Sequence, residues 1–274
     1  MSFGNKRQRM IAGLVFFALV LIAICISGIL NGEEALLTDF TRKNLAPCPQ
    51  YPFGTDWLGR DMLSRTLKGL STSILLGVLS AAVSAVIALI LGVVSATMGK
   101  TADSVISFVI DLMMGIPHIL LLILISVAFG KGFLGVAFGI ALTHWPFLAR
   151  VIRGEVLQLK ESPYILIAEK MGKGKLYIAA KHMFPHLLSQ FSVGLILLFP
   201  HAIMHESAVT FLGFGLSSEQ PAVGIILSES MKYLVTGQWW LAVLPGIMLV
   251  IVVVSFYAVG ESARKLADPA SAHK

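Results

Sequence analysis

The sequence predicts an all-α membrane protein that crosses the bilayer six times. Three observations carry that expectation. Hydrophobic residues fill 56% of the 274 positions and charged residues only 13%, with a mean hydropathy of +0.84, more apolar side chain than a soluble core of this size can hide. Six stretches approach the roughly 20 apolar residues that span a hydrocarbon layer of about 30 Å. Lys and Arg gather at the ends of these stretches.

The first stretch, 10–30, follows Lys6, Arg7 and Arg9. A secretory leader also begins this way, but the apolar run is too long and lacks a small-x-small cleavage site before a soluble domain, so a retained helix is expected. Stretches 71–98 and 104–129 come next. The fourth, 132–149, is the shortest and carries His144, Trp145 and Pro146 near its end. The fifth is 187–205 and the sixth 239–260, where Trp239 and Trp240 suit an interfacial belt. Placing the N-terminus inside puts 14 Lys and Arg in the cytoplasm against 7 outside, so both termini are expected there. The chain then divides into an N-terminal segment with the first helix (1–30), an extracytoplasmic segment (31–70), a five-helix core (71–260) and a cytoplasmic tail (261–274). The core includes a cytoplasmic loop, 151–186, and an extracytoplasmic loop, 206–238.

The net charge of +6 does not point to nucleic acid, because no basic stripe interleaves with aromatics. Cys25 in an apolar run and Cys48 between Pro47 and Pro49 sit in surroundings too different for a bridge or a metal pair.

The loop 151–186 alternates basic residues with Glu155, Glu161 and Glu169 while keeping Leu157, Ile165, Met171 and Ile178 at helical spacing. A merely solvated linker needs no such apolar face. Ser162 can cap a helix that Pro163 opens, and that helix should run to about Met171. Gly172 suits a left-handed C-terminal cap, Lys173 and Gly174 complete the break, and a second short helix from Lys175 should end before Pro185. A helix-turn-helix hairpin outside the bilayer is expected.

The run from Tyr164 to Gly172, with Ala168 in place, followed by Lys181-His182-Met183-Phe184-Pro185, resembles the "EAA" loop of binding-protein-dependent permeases. The family's usual Glu-Ala is Leu166-Ile167 here. Phe53-Gly54-Thr55-Asp56-Trp57-Leu58-Gly59-Arg60-Asp61-Met62-Leu63-Ser64-Arg65 resembles the segment before the second helix in the dipeptide, oligopeptide and nickel permeases. Ser207-Ala208-Val209-Thr210-Phe211-Leu212-Gly213-Phe214-Gly215-Leu216 resembles that family's segment after the fifth helix.

The resemblance implies a permease subunit of an ATP-driven ABC importer, with the type I, MetI-like permease fold, in a bacterial or archaeal cytoplasmic membrane. It implies a second homologous permease subunit, two ABC ATPase subunits and an extracytoplasmic substrate-binding protein as partners. It also implies a coupling helix in the hairpin, seated in a groove on the ATPase, where Tyr164, Ala168, Met171, Gly172, Lys173, Gly174, Leu176, Tyr177 and Pro185 are the candidate contacts.

The chain holds no Gly-x-x-x-x-Gly-Lys-Ser/Thr loop, since the Gly-Lys pairs at Gly99, Gly130, Gly172 and Gly174 lack the glycine five positions earlier. No cofactor is expected in this chain; ATP and magnesium belong to the partner subunits. Polar residues at membrane depth are candidates for the translocation path. Asp111 and His118 are expected two turns apart on one helix face, in a pattern that resembles the family's Asp-x-x-x-x-x-Pro. His201 and His205 share one side of the fifth helix at i and i+4, beside Glu206, and two imidazoles on one face can hold a transition metal or its chelate. The expected cargo is therefore nickel, a metal chelate or a short peptide, with strictly di- or oligopeptide cargo as the alternative. Ion-coupled secondary transport is remoter, because no internal repeat is seen.

Overall fold

The computed structural model describes residues 6–31 and 36–267. Eleven α-helices follow one another among the described residues: α1 (Lys6–Leu30), α2 (Met62–Thr97), α3 (Lys100–Gly115), α4 (His118–Ala128), α5 (Gly132–Thr143), α6 (Trp145–Lys160), α7 (Pro163–Lys170), α8 (Lys175–Ile178), α9 (Phe184–Phe211), α10 (Val223–Leu234) and α11 (Trp240–Ala267). Five spans are long and apolar enough to cross a membrane, and the bent pair α3–α4 makes a sixth. The six stretches read from the sequence thus correspond to five such helices and one bent pair, with several boundaries redrawn.

The long helix α2 is the axis of the bundle, contacted by α1, α5, α6 and α9. Its sequence explains that place. Gly69, Ser73, Gly77, Ser80, Ala81, Ser84, Ala85, Ala88, Gly92, Ser95 and Ala96 are all buried, a stripe of small side chains that lets neighbouring backbones approach. A Cβ on Gly77 would stand 2.6 Å from the Ile203 side chain of α9, and one on Gly92 would stand 2.8 Å from the Ala149 carbonyl of α6. Asp61 caps α2 by accepting from the backbone N–H groups of Leu63 and Ser64. The helix therefore begins at Met62, well before the 71 that hydropathy suggests, because capping chemistry and not apolarity sets its start.

The stretch 104–129 is not one rod. α3 and α4 meet at a bend of 99°. Pro117 has no N–H to donate and disfavours the helical region for the residue before it, and Ile116 is extended at φ −87°, ψ 137°. The fourth span is longer than its apolar core, running as α5 and α6 over Gly132–Lys160 with a break at His144 and Pro146 in the first turn of α6. The first ten residues of the loop 151–186 are therefore still this helix.

The hairpin at that end of the bundle forms, with two differences. Ser162 takes the N-cap position, but its side chain makes no capping hydrogen bond; its carbonyl instead accepts from Ile165 and Leu166. The second arm does not stop before Pro185. α8 continues through a π-helical stretch, Ala179–Met183, straight into α9, with the Phe184 N–H on the Ala179 carbonyl carrying the ladder up to Pro185. At the opposite end, α10 lies against α9 and α11. Cys25 and Cys48 are free thiols.

Candidate translocation and coupling sites

Helix α4 begins with His118 at the bend, His144 caps α5 where the fourth span breaks, and His205 stands within α9. The bend before α4 places His118 where a continuous helix would have turned it elsewhere. The three rings meet: the His118 ring centroid is 4.6 Å from those of His144 and His205, and the latter two are 5.0 Å apart. One ligand nitrogen from each lies within 4.8 Å of the others, close enough for a single metal ion to engage all three. His144 Nε2 is 3.0 Å from His205 Nδ1.

His144 was absent from the site residues read off the sequence. Its only signal there was a polar group with Pro146 in the middle of an apolar run. His201, one turn before His205, is exposed and is not one of the three residues in this cluster, so the cluster adds His118 and His144 to one member of the expected His201–His205 pair.

Asp111 and His118 lie on opposite sides of the bend, so the common face expected of one straight helix does not form. The Asp111 carboxylate, 69% exposed, instead pairs with Arg150 of α6. One layer on, Arg153 reaches Asp103 at 2.5 and 2.7 Å, which ties α3 to α6 by a two-point contact. Glu206 is wholly buried; it accepts from Thr210 Oγ1 at 2.9 Å and Ser207 Oγ at 3.2 Å within its own helix.

The hairpin presents a different chemistry. Gly172 has φ +76°, and the chain reverses there with Lys173 N–H on the Ala168 carbonyl (3.1 Å) and Gly172 N–H on the Glu169 carbonyl (2.9 Å). This pair of bonds closes the end of α7 and requires the left-handed residue between them. Met171 is 71% exposed at the tip, with Tyr164 and Tyr177 also exposed. Lys173 lies over the Tyr177 ring, and Gly174 and Pro185 are exposed too. Ala168 is buried, together with Ile165 of α7, in the main core, so it anchors the hairpin to the bundle and is not part of the exposed tip. The side chain of Leu176 lies outside the described residues.

At the far end, Asp56 accepts from Arg60 Nε at 2.7 Å and Arg65 at 3.1 Å, and Arg65 also donates to Glu229 of α10 at 2.6 Å. Trp57 stacks on Tyr233 with centroids 4.7 Å apart. This clamp ties the segment before α2 to α10.

Residues 88–272 match the family described as the binding-protein-dependent transport system inner membrane component. The chain is 29% identical to the dipeptide transport system permease protein DppC of Bacillus subtilis, over 97% of this chain and 83% of that one. It is 30% identical to a putative peptide transport system permease protein of Brucella suis, over 96% of this chain and 88% of the relative. The probable D,D-dipeptide transport system permease protein DdpC of Escherichia coli is 29% identical, with 96% and 88% covered. Among solved structures, an inward-facing form of the MetNI methionine ABC transporter contains a chain of the same fold, with a TM-score of 0.62 at 18% identity, covering 76% of this chain and 98% of that one.

Proposed function

This chain belongs to the inner-membrane components of binding-protein-dependent transport systems, and on that premise we propose that it forms half of an import path for short peptides, driven through its hairpin by separate ATPase subunits. One observation carries the coupling: the exposed hairpin is spliced without a break into α9 through the π-helical stretch, so a push on its tip moves the helix that bears His205. Through Glu161 and Ser162 the other arm joins α6, which continues the span that bears His144. A load applied at Met171 and Tyr177 is thereby delivered to two of the three elements that meet at mid-bundle.

In this reading the two termini and the hairpin face the cytoplasm, where two ATPase subunits bind ATP and magnesium. A second homologous permease completes the path, and an extracytoplasmic binding protein delivers cargo to the clamp end. Closure of the ATPases draws the hairpins together and tips the helix bundle between two states, each favoured by a different set of contacts. No covalent chemistry falls to this chain. Short peptides are the cargo because the curated relatives that match over nearly the whole chain are named for them.

Co-purification with the ATPase subunits and ATP-driven uptake of a labelled dipeptide in proteoliposomes test the proposal. Gly172→Trp should weaken both strongly, since a residue with a Cβ is strained at φ +76° and loosens the turn that presents the tip. If assembly and uptake both survived that change, the docking role would be wrong.

A further inference from the structure

We propose that His118, His144 and His205 form a site for a late first-row divalent cation, and that it takes the metal together with a short chelating peptide that fills the remaining coordination positions. The proposal rests on the reading that cargo passes this part of the bundle.

The donor set selects the ion class. Three imidazoles from three elements offer neutral, intermediate-softness nitrogen and no carboxylate, a set suited to cobalt, nickel, copper and zinc rather than to magnesium or calcium. Metal–nitrogen bonds of about 2.0–2.1 Å put ligand nitrogens of one ion about 2.9–3.4 Å apart. The His144–His205 pair already stands at 3.0 Å. The other separations, up to 4.8 Å, would have to shorten for one ion to take all three nitrogens.

Two further observations point at a ligand. His144 Nδ1 lies 3.1 Å from the Ile140 carbonyl, which can only accept, so Nδ1 carries the proton and Nε2 presents its lone pair to the cluster. A backbone carbonyl that fixes the tautomer in this way is the usual support of a ligating histidine. His118 Nε2 is buried and has no hydrogen-bond partner, an orphan nitrogen in a cluster of nitrogens. With His144 Nε2 accepting, His205 Nδ1 is the donor across the 3.0 Å gap, and ligation through Nδ1 would require His205 to carry its proton on Nε2 instead.

Three protein ligands leave one position open in a four-coordinate site and three in a six-coordinate one. The amine, amide and carboxylate donors of a dipeptide can occupy them, which joins the metal site to the peptide cargo. The set differs from the His201–His205 pair suggested by sequence spacing, since His201 lies outside it.

The test uses the purified full-length chain in nanodiscs, titrated with Co²⁺ alone and followed by its visible ligand-field bands, with Ni²⁺ binding measured by calorimetry. One equivalent bound through nitrogen is expected, and His144→Gln and His205→Gln should each weaken it by more than the roughly 10–100-fold that loss of an outer-shell partner costs. Thermal melting of each variant shows that the fold persists, and the wild-type cobalt spectrum stands even where a variant fails to fold. Absence of binding, or binding that both variants retain, overturns the site. The assembled importer separates the two readings. ATP-driven dipeptide uptake without metal binding defeats this inference and leaves the proposed function intact, whereas metal binding without ATP-driven uptake of free glycylhistidine or its Ni²⁺ complex defeats the function and leaves the site. Uptake faster for the Ni²⁺ complex than for free glycylhistidine, with the difference lost in His205→Gln, is the result expected if both hold.

Discussion

Arg65 is 1% exposed and shared between Asp56 and Glu229, and a guanidinium buried to that degree stays charged. Removing one partner of such a buried pair leaves an uncompensated charge. Asp56→Ala should therefore cost about 3–5 kcal/mol of stability, read as a lower melting temperature in detergent. The double change Asp56→Ala/Arg65→Met should recover much of that loss, because it leaves a single buried cation, Arg60, to the remaining carboxylate of Glu229. An Asp56→Ala protein that melted like the wild type would show that the clamp bears no load. A different residue-scale effect is expected on α2. Gly77→Val forces a methyl group into the Ile203 side chain and backbone of α9. Overpacking of this kind typically costs about 1–3 kcal/mol, so expression and melting temperature should both fall, with Gly77→Ala milder than Gly77→Val.

Breaks in the helices position the centre of the molecule. The bend at Ile116–Pro117 sends α4 off at 99° from α3 and puts His118 at its N-terminal end, beside His144 and His205. Pro117→Ala restores a backbone donor and relieves the restriction on Ile116, so the two helices should straighten toward one rod. Dipeptide uptake should then fall while ATPase co-purification at the hairpin stays near wild type. Loss of both together would mean that the bend supports the whole fold. The hairpin obeys a different local rule. Its reversal depends on one left-handed residue whose added Cβ would meet nothing within 4 Å, so any cost at Gly172 is conformational and not steric. Gly172→Asn should accordingly keep more coupling than Gly172→Val, since asparagine tolerates the left-handed region and a β-branched residue does not.

At the scale of the whole molecule, α2 is wrapped by neighbours while α3, α4 and one side of α9 keep large apolar side chains such as Phe108, Leu124 and Met204 exposed. An apolar surface of this kind suits the hydrocarbon of a bilayer. The proposed orientation, with the positive charge near Lys160 and Lys170 in the cytoplasm, is open to a direct check. Cys48 lies on the clamp side of α2, and Cys25 sits half-buried within α1. In a Cys25→Ser background, a membrane-impermeant maleimide should label Cys48 in right-side-out vesicles and not in inside-out ones. The reverse pattern would invert the topology and place the hairpin away from any cytoplasmic ATPase.

Much of the architecture was legible along the chain because its causes are local. Apolar runs marked the spans, Ser162-Pro163 and Gly172 marked the hairpin, and the missing nucleotide loop turned attention to docking. Each depends on a few neighbouring residues, and the permease family followed from segments read in order. The start of α2 at Met62 and the continuity of α8 with α9 were missed because capping and a π-helical stretch, not hydropathy, decide them. The histidine cluster was beyond sequence reading for a deeper reason. Helical periodicity relates residues on one straight helix, and it pairs His201 with His205. It says nothing of how a 99° bend after α3 brings position 118 beside positions 144 and 205 in one cluster of rings. The sequence by itself determined that this protein crosses a membrane and carries a helical hairpin; only the packing of α4, α5 and α9 against one another decided which polar groups meet between them.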